Sequence, residues 1–104
     1  NNHWIFLGDG YSEIPLTGLY QGRIESIIID RVNIDENGDH WLIDYKTGSH
    51  DGSNIDGFIE NEIIRYKPQL EKYEYMYKAY SKQTPKLALY YPNLKQLIEL
   101  QNSP

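Results

Sequence analysis

Cysteine is absent from this chain, which excludes disulfides and structural sites built on cysteine-bound zinc. Long apolar runs are lacking as well: none approaches the ~20 residues of a membrane-spanning helix, and no secretory signal peptide is visible. A cytoplasmic protein without a membrane partner is the expectation. Basic side chains are scarce in the first part of the chain. Residues 1 to 64 carry three (Arg23, Arg31, Lys46) against twelve acidic ones, a net of −9, whereas residues 65 to 104 carry seven against three, a net of +4. The overall charge of −5 is unlike that of a free-standing nucleic-acid-binding module, because phosphate contacts dominate such affinity. Any phosphate-facing side is therefore expected among Arg65, Lys67, Lys72, Lys78, Lys82 and Lys86, whose plainer reading is a solvated helix face. There is no internal repeat.

At 104 residues the chain is expected to form one small α/β domain with a modest core. It begins Asn1-Asn2 without Met and stops at Gln101-Asn102-Ser103-Pro104, as a C-terminal fragment of a larger protein would.

The most informative residues are acidic ones at the ends of apolar strands. A strand running from about 19 to 34 places Tyr20, Ile24, Ile28, Val32 and Ile34 on one apolar face by the two-residue period, with Asp30 on that same face. A carboxylate is costly there unless something pairs with it. The second strand, about 41 to 47, reads Trp41-Leu42-Ile43-Asp44-Tyr45-Lys46, so Asp44 and Lys46 share a face while Tyr45 points away. The intervening Asp35-Glu36-Asn37-Gly38-Asp39 contains Asn-Gly, a strong hairpin signal that lays the strands antiparallel and brings Asp30 beside Asp44. Two close carboxylates repel unless a cation lies between them. A hard divalent ion, Mg²⁺ or Mn²⁺, relieves the repulsion and also binds a phosphate oxygen. Lys46 would then hold water or stabilise charge on a phosphate. An Asp-x-Lys triplet is common by chance and carries little weight by itself.

Farther on, Gly48 to Gly57 reads as a polar, glycine-rich loop that lacks the Gly-Lys-Ser/Thr ending of a phosphate-binding loop. Ile59, Ile63, Tyr66, Leu70, Tyr73, Tyr77 and Tyr80 recur at spacings of three and four, predicting an amphipathic helical stretch with a tyrosine-rich core face. Pro68 is expected to kink it or to begin a second helix. A strand follows near 87 to 91. His3, His40 and His50 read as surface residues near a terminus, in a turn and in a loop.

In order along the chain, Ile29-Asp30-Arg31-Val32, Trp41-Leu42-Ile43-Asp44-Tyr45-Lys46-Thr47-Gly48 and Arg65-Tyr66-Lys67-Pro68-Gln69-Leu70-Glu71-Lys72-Tyr73 resemble the motifs of the RecB-type nuclease domain of the PD-(D/E)-x-K superfamily. This domain closes exonuclease V beta subunits, AddA and UvrD-like helicase-nucleases. Leu87-Ala88-Leu89-Tyr90-Tyr91-Pro92 resembles the strand after the long helix in the same proteins, and the resemblance runs from Ser12 to the chain's end. It implies a restriction-endonuclease-like α/β core, a mixed sheet with an antiparallel hairpin and a flanking helix. The implied activity is a Mg²⁺-dependent exonuclease acting on DNA in repair and recombination, with the helicase portion of the same polypeptide as partner. Carried over by position, Asp30 and Asp44 match the metal-binding acids, the Tyr45 carbonyl a backbone metal ligand, and Lys46 the catalytic lysine. Gln69 and Tyr73 match the Gln-x-x-x-Tyr motif, one helical turn apart.

Two departures stand out. Many members carry Gly three residues before the first metal acid, where this chain has Ile27, while Gly22-Arg23-Ile24-Glu25 resembles the usual Gly-x-Ile-Asp phrase and makes Glu25 the competing acid. Asp30 is preferred because it fits the hairpin spacing and because Glu25 has the opposite parity. Family members also carry an upstream helix with a metal-binding His, and nothing before Trp4 is long enough to be it. The 104 residues alone are accordingly expected to cleave DNA weakly or not at all. The lack of cysteine excludes the four-Cys iron-sulfur variant of some relatives. The competing functional reading is a nuclease-derived domain that only binds DNA or braces a helicase.

Overall fold

The computed structural model describes residues 9–48 and 54–100. Strands β1 (Asp9–Tyr20), β2 (Arg23–Ile34), β3 (His40–Tyr45), β4 (Lys86–Tyr91) and β5 (Gln96–Leu100) form one sheet in that order, and helix α1 (Ile55–Ser81) lies between β3 and β4 in the chain. Only β3 and β4 are parallel; every other neighbouring pair is antiparallel. A parallel pair cannot be closed by a tight turn and needs a crossover, which α1 provides. The result is the mixed α/β sheet expected of a restriction-endonuclease-like domain.

Two strands were not legible in the pattern. The strand expected from about 19 to 34 is broken after Tyr20, which pairs with Arg23 across a two-residue loop. In that loop Gln21 and Gly22 have φ of 50° and 78°, the geometry that favours two-residue hairpins. Gly22 was the signal. The residues before it form β1, and β5 adds the opposite edge.

The face assignment of β2 is also corrected. Ile24 and Ile28 are 75% and 60% exposed, whereas Ile27, Ile29 and Val32 are buried in one cluster. Odd positions face the core up to Ile29 and an even one does so at Val32, so the strand changes parity around Asp30. The partner strand is irregular at the same level: the β1–β2 pairing steps from Ser12–Arg31 to Ile14–Ile29 and skips Glu13, whose φ is 54°. A strict two-residue period cannot anticipate such a break.

The core lies between α1 and one face of the sheet, with Leu70, Met76 and Tyr77 of the helix against Ile27, Ile29, Val32, Leu42, Leu87, Leu89 and Tyr91. Of the expected helical stripe, Ile59, Ile63, Tyr66 and Tyr73 pack partly buried against this core, but Tyr80 is 69% exposed. The other sheet face carries Trp41, Ile43, Ala88 and Tyr90.

Asn54 caps α1 by accepting from the Gly57 N–H at 3.1 Å, so Ile55–Gly57 belong to the helix rather than to the loop expected there; Ser49–Ser53, with His50, lie outside the described residues, as does His3. The helix runs through Pro68 as one element, without the second helix that proline could have started. The proline leaves the Ile64 carbonyl without its usual N–H donor, on a turn where Ile64 itself is exposed. His40 opens β3 instead of lying in the turn, and its Nδ1 is 2.6 Å from the Tyr77 hydroxyl.

Candidate active site

Two short strands bring the acids together. The β2–β3 ladder pairs Ile34 with His40 through Arg31 with Ile43, and one step beyond it stand Asp30 and Asp44. The Tyr45 N–H donates to Asp30 Oδ2 at 2.9 Å, fixing the first carboxylate against the end of β3 beside Asp44. Asp44 shares the α1-facing side of β3 with Leu42 and is 5% exposed.

Lys46, two residues on, places Nζ 2.7 Å from Asp44 Oδ2. The same ammonium stands 3.8 Å from the centroid of the Tyr66 ring, so an ion pair and a cation–π contact hold it from two sides. Tyr45 points the other way and meets Tyr90 edge-on, with ring centroids 5.7 Å apart. From α1, Gln69 Nε2 donates to the Tyr73 hydroxyl at 3.1 Å and reaches toward Asp44 Oδ2 at 3.5 Å, the outer limit of a hydrogen bond. Asp30, Asp44, Lys46, Gln69 and Tyr73 thus form one connected group.

Burial pushes the Asp44 carboxyl up to about 6, the adjacent Asp30 carboxyl adds to the shift, and Lys46 opposes it. A carboxylate raised by burial and by a second acid is the arrangement that a cation relieves.

Further side chains support the group. Tyr91, fully buried, donates its hydroxyl to Glu62 Oε1 at 2.6 Å; burial first, then Glu62, raise its pKa beyond the ordinary tyrosine range. Glu62 also lies 3.9 Å from Arg65 Nη1. This link ties α1 to β4 beside Asp44, and Asn93 Nδ2 donates to the Thr47 carbonyl at 2.9 Å, holding the chain just past Lys46. Sequence reasoning took Tyr66 for core and Tyr91 for an ordinary strand residue, and passed over Glu62. Helical spacing could have found two of them, since Glu62, Tyr66, Gln69 and Tyr73 follow one another at intervals of four, three and four.

Glu25 stands elsewhere. It is five residues from Asp30 along β2, roughly 16 Å at the rise of a strand, and its Oε1 accepts from Lys72 Nζ at 3.0 Å. Contact with α1 puts it on the helix side of the sheet, so its parity does not exclude it; distance is what separates it from the acid pair. The six basic residues do not share one side either. Lys72 faces Glu25, whereas Lys86 lies on the sheet face away from α1, 3.3 Å from Asp39 and 5.2 Å from the centre of the Trp41 ring.

The donors at the acid pair are hard oxygens, one buried and both adjacent, which suits Mg²⁺ or Mn²⁺ better than a softer metal. Among the described residues no group of three or more His, Cys, Asp or Glu gathers at one point. A cation at this pair would draw its remaining ligands from backbone carbonyls, water or substrate.

Compared with known families, residues 23–101 match the PD-(D/E)XK nuclease superfamily, a span that includes both acids, the lysine, α1 and the last four strands. A search of curated proteins gave no match.

Proposed function

From the premise that the chain belongs to the PD-(D/E)XK nuclease superfamily, we propose that it is a divalent-metal-dependent deoxyribonuclease of the RecB type. In this reading it is an exonuclease domain serving DNA repair and recombination beside a helicase. The observation that carries the reading is that Asp30 and Asp44 stand together one step past the β2–β3 ladder, with Asp44 buried and its Oδ2 2.7 Å from Lys46 Nζ.

Asp30 and Asp44, with the Tyr45 carbonyl, are the residues that would hold Mg²⁺ or Mn²⁺. Such an ion supplies Lewis acidity toward a phosphate oxygen and makes hydroxide accessible near neutral pH. The protein's own groups do the rest. Asp30 is oriented by the Tyr45 N–H, so its carboxylate is presented toward Asp44 without a search of rotamers. Lys46 carries a proton-bearing cation beside the acids; it orients the attacking water and offsets negative charge that builds on the phosphate as the bond to the leaving oxygen breaks. Tyr66 limits the excursions of that ammonium. Gln69 spans Asp44 and Tyr73 and positions the acid relative to α1.

The test combines calorimetric Mn²⁺ titration with cleavage of linear DNA. Expected outcomes are saturable Mn²⁺ binding that Asp30→Asn and Asp44→Asn abolish, and DNA cleavage, weak in these 104 residues, that disappears in Lys46→Ala. A chain that binds DNA but takes up no Mn²⁺ would favour the inactive, helicase-bracing reading instead.

A further inference from the structure

An open groove of about 1120 Å³ runs between the β1–β2 hairpin and α1, lined by Tyr20, Arg23, Glu25, Pro68, Lys72 and Tyr73 among others. Gln69, which reaches toward Asp44 at 3.5 Å, is also in its wall and links it to the acid pair. From there it follows β2 toward the Gln21-Gly22 turn. We infer that this groove is the seat of a single-stranded segment of DNA, with Lys72 as a phosphate contact that Glu25 occupies in the free protein. The inference rests on the nuclease reading and extends it to the form of the substrate.

Three observations support it. First, Lys72 already holds an anion: its ammonium is 3.0 Å from the Glu25 carboxylate, and both side chains are partly open to solvent, at 28% and 35% exposure. A phosphate oxygen makes the same charge-assisted contact as a carboxylate oxygen, so the pair marks a place where strand and Glu25 compete. Second, the local charge differs from the chain's. Arg23 and Lys72 against Glu25 leave the groove net positive, inside a chain whose total is −5. The next depression along α1, past Tyr20 and Gln21, reverses the sign with Glu71 and Glu74 against Lys78, so the favourable stretch has an end. Third, the lining carries aromatic rings: Tyr20 and Tyr73 offer ring surface to unpaired bases, the usual partner of a positive groove in single-strand binding.

The test is fluorescence anisotropy of a labelled oligothymidylate with the chain in EDTA at low salt, where binding is read without cleavage. Glu25→Gln is expected to tighten binding about threefold to tenfold by removing the competitor. Lys72→Gln is expected to weaken it by a similar factor and to reduce the slope of log affinity against log salt by about 0.7, the value for one phosphate contact on a single strand. Unlabelled single strand should compete better than a duplex of the same length. If neither variant changes affinity while Lys46→Ala still abolishes cleavage, the groove assignment is wrong and the nuclease reading stands. A duplex that competes equally would overturn the single-strand assignment, and a wild-type chain that binds no oligothymidylate would overturn the whole inference.

Discussion

Asp44 carries an electrostatic consequence that can be read against pH. Its folded pKa, about 6, lies above the roughly 3.9 of an unfolded aspartate. Below pH ~4 both states hold the proton and nothing is lost. Between pH ~4 and 6 the unfolded chain releases its proton while the folded one keeps it, so metal-free stability falls as pH rises through that window and the penalty is complete above it. Asp44→Asn should therefore flatten the pH dependence of urea unfolding and stabilise the metal-free protein at pH 7 on the order of 1–3 kcal/mol, while removing the proposed activity. Equal slopes for wild type and variant between pH 4 and 6 would show that Asp44 ionises normally. That Asp44 and Lys46 share a face was legible in the sequence, because a short regular strand obeys the two-residue period. The face of Ile24 and Ile28 was not, because the irregularity opposite Glu13 leaves no compositional trace.

Elements of the fold were legible where turn chemistry or apolar spacing is strong. The Asn37-Gly38 turn, the long helix and the β4 strand follow from turn chemistry and apolar spacing in a dozen residues. β1 and β5 pair through short turns with their chain neighbours β2 and β4, but β1 carries Gly10, Pro15 and Gly18 and β5 is five residues long, so neither presents a strong strand pattern. Packing of β1 on β2 gives an element-scale prediction. A Cβ added at Gly10 would stand 2.6 Å from Asn33 Oδ1, 2.7 Å from Arg31 Nη2 and 2.7 Å from the Val32 carbonyl oxygen. Two of these are side-chain atoms already engaged with each other's residues, since Arg31 Nε donates to Asn33 Oδ1 at 2.5 Å; the third is backbone that cannot yield without moving β2. Gly10→Ala is expected to destabilise the domain by about 1–3 kcal/mol, measured by urea unfolding. At the far end of α1 the opposite holds. Lys82 ends the helix at φ 64° with its N–H on the Lys78 carbonyl, a conformation that glycine adopts without a Cβ penalty. Lys82→Gly should raise stability by a few tenths to about 1 kcal/mol; a loss would mean that the lysine side chain, whose Nζ donates to the Ala79 carbonyl at 3.0 Å, outweighs the backbone strain.

For the whole molecule, the uneven charge was visible from composition, but its arrangement was not: the basic residues of the second half are divided between the helix side and the far face of the sheet. This matters for reading any effect of divalent metal, because an acidic chain attracts cations diffusely as well as at a site. The two are separable. Asp44→Asn leaves all but one of the twelve acidic residues of positions 1–64, so diffuse attraction survives it, whereas a site built on the Asp30–Asp44 pair does not. Mn²⁺ is expected to raise the melting temperature of the wild-type chain at pH 7.5, by an amount worth about 2.7 kcal/mol at a hundred times Kd. It should do so much less at pH 5, where the proton on Asp44 competes with the metal. In Asp44→Asn the rise should vanish at both pH values. A metal-dependent rise that persists undiminished in that variant would assign the stabilisation to the acidic surface as a whole and leave the carboxylate pair as a feature of folding alone.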